Sequence, residues 1–239
     1  MKAFKYRLVQ QINEDDFEKR LTFCNYVIQM QLLDPMWHHN IIFTDEATFH
    51  LNELVNRHNC YYYAQNNEHK IMIKPLKSSA ITLWAMIPYD GRLRFRILFE
   101  KMNQERYCDI LREIAIPSLT SNRHIHHYYQ QGGASVHWAL AVRELLNSNL
   151  QHRWIGRSGP TEWPPRSPDL TINDFFLWSF MRDKVYTQPR PTTLQELAEK
   201  CENASNQIDH NMVQNCFSNF SKRCGMCIEH QGRHIEQYM

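Results

Sequence analysis

The apolar residues of this chain change their period repeatedly, and the order of those changes is the strongest constraint on its fold. Asn13 precedes Glu14, Asp15 and Asp16, the signature of a capped helix start. Phe17, Leu21, Cys24 and Ile28 then recur at helical spacing until Asp34-Pro35 halts the helix. Ile41-Ile42-Phe43-Thr44-Asp45 reads as a strand that continues through Thr48-Phe49-His50-Leu51. Residues 52–79 are polar and aromatic without a clear period. Ile81–Ile87 and Leu93–Phe99 are β-rich runs joined at Asp90-Gly91, a strong hairpin signal. A helix over Asn103–Leu119, a strand over Ile125–Gln131, a helix over Ala134–Leu146 and a short strand at Trp154-Ile155 follow. A loop rich in Pro and Arg leads to a helix at about Asn173–Tyr186. Thr193-Leu194-Gln195-Glu196 is a capping box, and Leu194, Leu197, Cys201, Ala204 and Ile208 form one helical stripe. This order predicts an α/β fold: a mixed central sheet flanked by helices, with a helical tail from about residue 191.

Composition narrows the chemistry. Only seven glycines occur in 239 residues, where average usage would supply roughly 17. Neither G-x-G-x-x-G nor G-x-x-x-x-G-K-[ST] appears, so no nucleotide cofactor loop is expected. No G-x-S-x-G elbow is present to start a serine hydrolase. A formal charge of +2 neither requires nor opposes a nucleic-acid partner. The opening MKAFKYRLVQQINEDD lacks an apolar h-region and no run of 18 apolar residues follows, so no membrane partner is expected. Seven dispersed cysteines read as reduced thiols in an intracellular compartment.

Two carboxylates stand out. Asp45 lies inside an apolar strand, where an unpartnered carboxylate is costly and a bound cation would offset the cost. The plain alternative is a strand-end Asp that caps a turn. Glu46 should face the opposite side of the sheet, which makes it a poor substitute for Asp45. Asp174 sits in the first turn of an apolar helix, where macrodipole compensation is the plain alternative. Asp169 reads as a turn or cap residue. Before these, Arg153, Arg157 and Arg166 alternate with Trp154 and Trp163, a pattern suited to phosphates and bases or, more simply, a stiff loop with solvated arginines. Cys224, Cys227, His230 and His234 invite a zinc reading, but the two-residue gap between Cys227 and His230 is too short for a finger. Both thiols also fall on one helical stripe with Val213, Cys216, Phe217 and Phe220, which reads as core.

FTDEATFHLN (43–52), VNRHNC (55–60), RWIGRSGP (153–160), WPPRSPDLT (163–171) and DFFLW (174–178) resemble the catalytic region of mariner-like transposases, of the DDE superfamily of transposable-element endonucleases. The similarity runs from about Lys5 to Glu236. It implies an RNase H-like fold over 39–239, preceded by a linker helix in 1–38. It also implies metal-dependent DNA cleavage and strand transfer in a nuclear compartment. Three acids would hold two Mg²⁺ (or Mn²⁺) ions, with Asp45 as the first acid and Asp174 as the third, both as metal ligands. DNA is the implied partner, with Arg153, Arg157, Arg166 and Trp163 as its contacts. The sequence leaves open whether the chain pairs with a second copy as a homodimer.

The second acid is missing. The family segment reads approximately Q-Q-D-G-A-P-A-H, whereas this chain has Gln130-Gln131-Gly132-Gly133-Ala134-Ser135-Val136-His137, with Gly132 at the aspartate position. No Asp or Glu occurs between Glu113 and Glu144. Mg²⁺ leans on carboxylates in strict octahedral geometry, so ion binding is expected to be impaired and cleavage lost. Ile172 and Glu53 also depart from the family's usual Pro and Gly. With Met1 falling within the linker, no helix-turn-helix region is expected before it, and specific recognition of element ends is not expected. The resemblance thus implies a decayed catalytic domain. The alternative from the residues is a DNA-binding or protein-interaction module that uses the basic and aromatic surface.

Overall fold

The computed structural model describes residues 11–51, 79–121 and 124–239; Lys5, Glu53 and the 55–60 stretch lie outside them. Helix α1 (Glu14–Leu33) starts at Asn13 through a capping box with Asp16 and ends where Asp34-Pro35 denies the next hydrogen bond. Among the described residues five strands follow: β1 (Ile41–His50), β2 (Ala80–Ile87), β3 (Arg94–Leu98), β4 (Tyr128–Gln130) and β5 (Trp154–Ile155). They form one mixed sheet in the order β3-β2-β1-β4-β5. β1 runs antiparallel to β2 and parallel to β4, while β3 is antiparallel to β2 and β5 parallel to β4. The β2–β3 turn uses Gly91 at φ +72°, a conformation that suits glycine.

Side-chain alternation sends the sheet into two separate cores. Phe43, Ala47 and Phe49 of β1, with Ile81, Leu83 and Ala85 of β2, pack on one face. That face is covered by α1, α5 (Trp178–Val185), α6 (Leu194–Ser205) and α7 (His210–Glu229). Ile42, Trp84, Met86 and Tyr129 face the other side, beneath α2 (Gln104–Ile110), α3 (Ile116–Thr120) and α4 (Leu140–Leu150). The α/β architecture expected from the sequence is therefore present. The tail helices pack into the first core through Leu197, Cys201, Phe217 and Phe220, together with Phe23, Cys24 and Val27 of α1.

Three elements differ from expectation. The 104–120 helix contains a π segment at Leu111–Ala115. The strand expected from Ile125 is confined to Tyr128–Gln130. The helix expected from Ala134 starts at Leu140, because residues 134–137 close a turn in which the His137 N–H donates to the Ala134 carbonyl at 3.0 Å. No helix among the described residues is long and apolar enough to cross a membrane.

Candidate active site

Asp45 sits in the middle of β1 opposite Ala85, and so is not a strand-end cap. Its carboxylate accepts a hydrogen bond from the Trp178 indole N–H at 2.8 Å. Burial pushes its pKa up to about 8, and the negative charges of Asp174 and Glu46 add to the effect. Asp174 lies in a π segment, Asn173–Leu177, that opens the helix continued by α5. A π turn widens the helix locally and such turns gather at functional sites. Burial pushes Asp174 up to about 6, with Arg182 opposing and Asp169 reinforcing the shift. Two acids that resist ionising while sharing one cleft are the signature of a centre short of positive charge.

Gly132 forms the adjoining wall. It follows β4, and a Cβ built on it would lie 3.7 Å from His137 Nδ1 and 3.9 Å from Asp45 Oδ1, ordinary contact distances. Its backbone is outside the left-handed region, so nothing in the fold demands glycine there. The position can take a carboxylate aimed beside Asp45, and this chain supplies none.

Glu46 alternates to the other side of β1 from Asp45, yet it borders the same cavity. It pairs with His137 Nε2 at 2.9 Å, and His137 Nδ1 lies 3.0 Å from the Gly132 carbonyl. Burial alone would lower the His137 pKa; the Glu46 carboxylate beside it raises it instead. The ring is further fixed by a tilted contact with Tyr107, centroids 4.5 Å apart. Tyr107 donates to Gln131 Oε1 at 2.8 Å, and Gln131 Nε2 donates to the His137 carbonyl at 2.8 Å. Sequence reasoning did not assign His137 or Trp178, although both lie in or beside the segments that carried the resemblance.

The segment 163–171 closes the cleft and is held by α1 through two ion pairs of opposite sense. Asp16 receives Arg166 Nε at 2.5 Å and its terminal nitrogen at 2.6 Å. One helical turn later, Arg20 donates to both oxygens of Asp169, at 2.7 and 2.5 Å, and to Ser167 Oγ at 2.7 Å. Asp169 lies in the short turn Pro168–Leu170, as a turn residue should, but its side chain is fully buried and paired with Arg20. The spacing of Asp16 and Arg20 on one helix face was visible in the sequence, but their partners some 150 residues away were not.

The expected basic and aromatic surface separates into parts. Trp163 is 6% exposed and packs edge-on against Phe23 at 4.9 Å. It lines the cleft floor but cannot stack on a base, and the expectation is corrected there: its large apolar ring is worth more in the core. Trp154 is buried likewise and bonds to Asn147. Arg153 donates to the His127 carbonyl at 3.0 Å, Arg166 is the partner of Asp16, and Arg157 is exposed. Asp45, Asp174, Gly132, Arg157 and Arg166 all line one cavity of about 740 Å³.

The zinc reading fails on geometry. Cys224 and Cys227 are in the first core, and His230 stacks on Tyr238 at 3.8 Å. Asp169, His234 and Glu236 bring ligand atoms within 4.8 Å of one another. With Arg20 already bound across both Asp169 oxygens, that group is neutralised by a side chain.

No protein-family model matches this chain, and no curated protein matches it. Solved structures do. The chain is 17% identical to the mariner Mos1 paired-end complex with Mg, with a TM-score of 0.82 over 99% of this chain and 68% of that one. Against the Mos1 paired-end complex with left transposon end, identity is 18% and the TM-score 0.81, over 99% and 68% of the two chains. Against the catalytic domain of Mos1 mariner transposase, the TM-score is 0.70 at 17% identity, over 96% of this chain and 100% of that one. The mixed sheet with helices on both faces is thus the fold of the Mos1 mariner transposase catalytic domain.

Proposed function

We propose that this chain is the catalytic region of a mariner-like DNA transposase whose metal centre has lost its second acid, so that it engages DNA without cutting it. The observation that carries this reading is the convergence of Asp45 and Asp174 on a cleft whose third wall is Gly132, with room left for a side chain. A divalent cation bound there would activate water or a 3′-hydroxyl and stabilise the leaving oxygen.

The residues present fit one such ion. Asp45 and Asp174 are the donors that would hold it, and their raised pKa values express the positive charge they lack. Trp178 orients the Asp45 carboxylate through its indole N–H, which donates to Oδ2 at 2.8 Å. A second ion would need a carboxylate at 132. Glu46 also borders this cleft, but its carboxylate is engaged by His137 Nε2 at 2.9 Å. Absence of positioned charge at one ion should slow strand cleavage by on the order of 10³-fold or more.

The test is metal-dependent nicking of supercoiled DNA by the natural chain, Asp45→Ala, Gly132→Asp, and Gly132→Asp combined with Asp45→Ala. The reading expects cleavage from Gly132→Asp alone. Cleavage by the natural chain that disappears with Asp45→Ala would overturn it.

A further inference from the structure

The cations around the cleft are not equivalent. Arg166 gives its fork to Asp16, Arg153 is bound to a backbone carbonyl, and Lys19 pairs with Glu162 at 3.5 Å on the rim. Arg157 stands apart. Its guanidinium lies over the ring of Trp138, 4.2 Å from the centroid, it is exposed, and among the described residues no carboxylate pairs with it. A guanidinium stacked on an indole face is held in its plane while its N–H edge stays open to an anion.

We infer that Arg157, seated on Trp138, is the phosphate contact of the cleft: it receives one backbone phosphate of the nucleic-acid strand presented to Asp45 and Asp174, and Trp138 is its positioning residue. The inference rests on the DNA reading of the cleft given above. The ligand chemistry is a phosphodiester and not a base. Trp138 carries Arg157 on one face of its ring, and Trp154 and Trp163 are buried, so the exposed group that these residues present to the cleft is the guanidinium. Arg166 contributes differently, by holding the 163–171 segment to α1. Its charge is already met by Asp16.

Binding of a labelled duplex, followed by fluorescence anisotropy over a salt series, separates these roles. Each phosphate contact contributes about 0.9 to the slope of log K against log salt. Arg157→Ala is expected to reduce that slope by about one contact, whereas Arg166→Ala lowers thermal stability and leaves the slope unchanged. Trp138→Ala should weaken binding several-fold and Trp138→Phe should restore it, since a phenyl face still carries the guanidinium. The double variant Trp138→Ala/Arg157→Ala should bind no more weakly than Arg157→Ala alone, because the ring acts through the arginine. A natural chain that binds with a slope untouched by Arg157→Ala, or reduced equally by Arg166→Ala, overturns the phosphate seat while the DNA reading stands. A natural chain that binds no duplex even at low salt overturns both.

Discussion

Gly132→Asp is the substitution with the most to reveal. The new Cβ would stand 3.9 Å from Asp45 Oδ1, which brings the two carboxylates to about 4–5 Å. At an effective dielectric near 20, two unit charges at that distance repel by about 3–4 kcal/mol. Asp45, with its pKa already near 8, escapes part of that cost at neutral pH by keeping its proton. Above pH 8 the repulsion is felt in full, and the metal-free variant should be less stable than the natural chain. A divalent cation reverses the order: saturation to about 100 times Kd adds about 2.7 kcal/mol, or a rise of roughly 5–10 °C in Tm for a chain of this size. The assay is thermal unfolding at alkaline pH with and without Mn²⁺, paired with calorimetric titration of the ion. Lower Tm without metal, and a larger metal-induced rise than the natural chain shows, is the expected pair. If the variant takes up Mn²⁺ no more tightly than the natural chain, position 132 is not a ligand position and the reasoning fails.

Further outcomes follow from the same geometry. The folded pKa of Asp45 lies above its ordinary value, so between pH 3.8 and about 8 the native state holds a proton that the unfolded chain releases. Stability should therefore fall across that window as pH rises, by up to about 1.4 kcal/mol per unit from this group. Asp45→Asn should flatten the profile measured by urea unfolding. Arg20→Ala leaves Asp169 buried without its partner, and should cost about 3–5 kcal/mol, read as a lower urea midpoint. Gly232→Ala should cost roughly 1–3 kcal/mol from φ +79° alone, and more because its Cβ would meet Phe17 O at 2.4 Å. Thermal melts of Gly232→Ala and Gly225→Ala, the latter with nothing near its Cβ, provide the comparison.

How much of this was legible depended on whether a signal was local. The β1 run, the Asp90-Gly91 turn and the capped starts of α1 and α6 are local patterns, and each appeared where its residues indicated. The opposite facing of Asp45 and Glu46 followed from strand alternation alone. Asp174 could be placed at the start of an apolar helix, yet the π turn that carries it leaves no mark in the spacing. The 134–139 stretch looked helical because Ala, Val and Trp recur there. It is held as a turn by His137, whose partners lie at Gly132 and, 91 residues back, at Glu46. The burial of Trp163 and the ion pair of Asp169 escaped the sequence for a common reason. An aromatic or a carboxylate in a proline-rich loop looks exposed until Phe23 or Arg20 closes over it from α1.

The bonds made by Arg20 have a consequence for the order in which the chain closes. Besides Asp169, its guanidinium holds the Gly232 carbonyl at 2.8 Å, a partner 212 positions later in the chain. Contacts of such sequence separation form last, since the intervening chain must be ordered before they repay its closure. A nascent chain on the ribosome can bring Ser167 and Asp169 to Arg20 once residue 169 has emerged, but the guanidinium's bond to the Gly232 carbonyl must wait for residue 232. One buried side chain thus ties the first helix, the cleft wall and the C-terminal tail together, and it is fully partnered only when all three are in place.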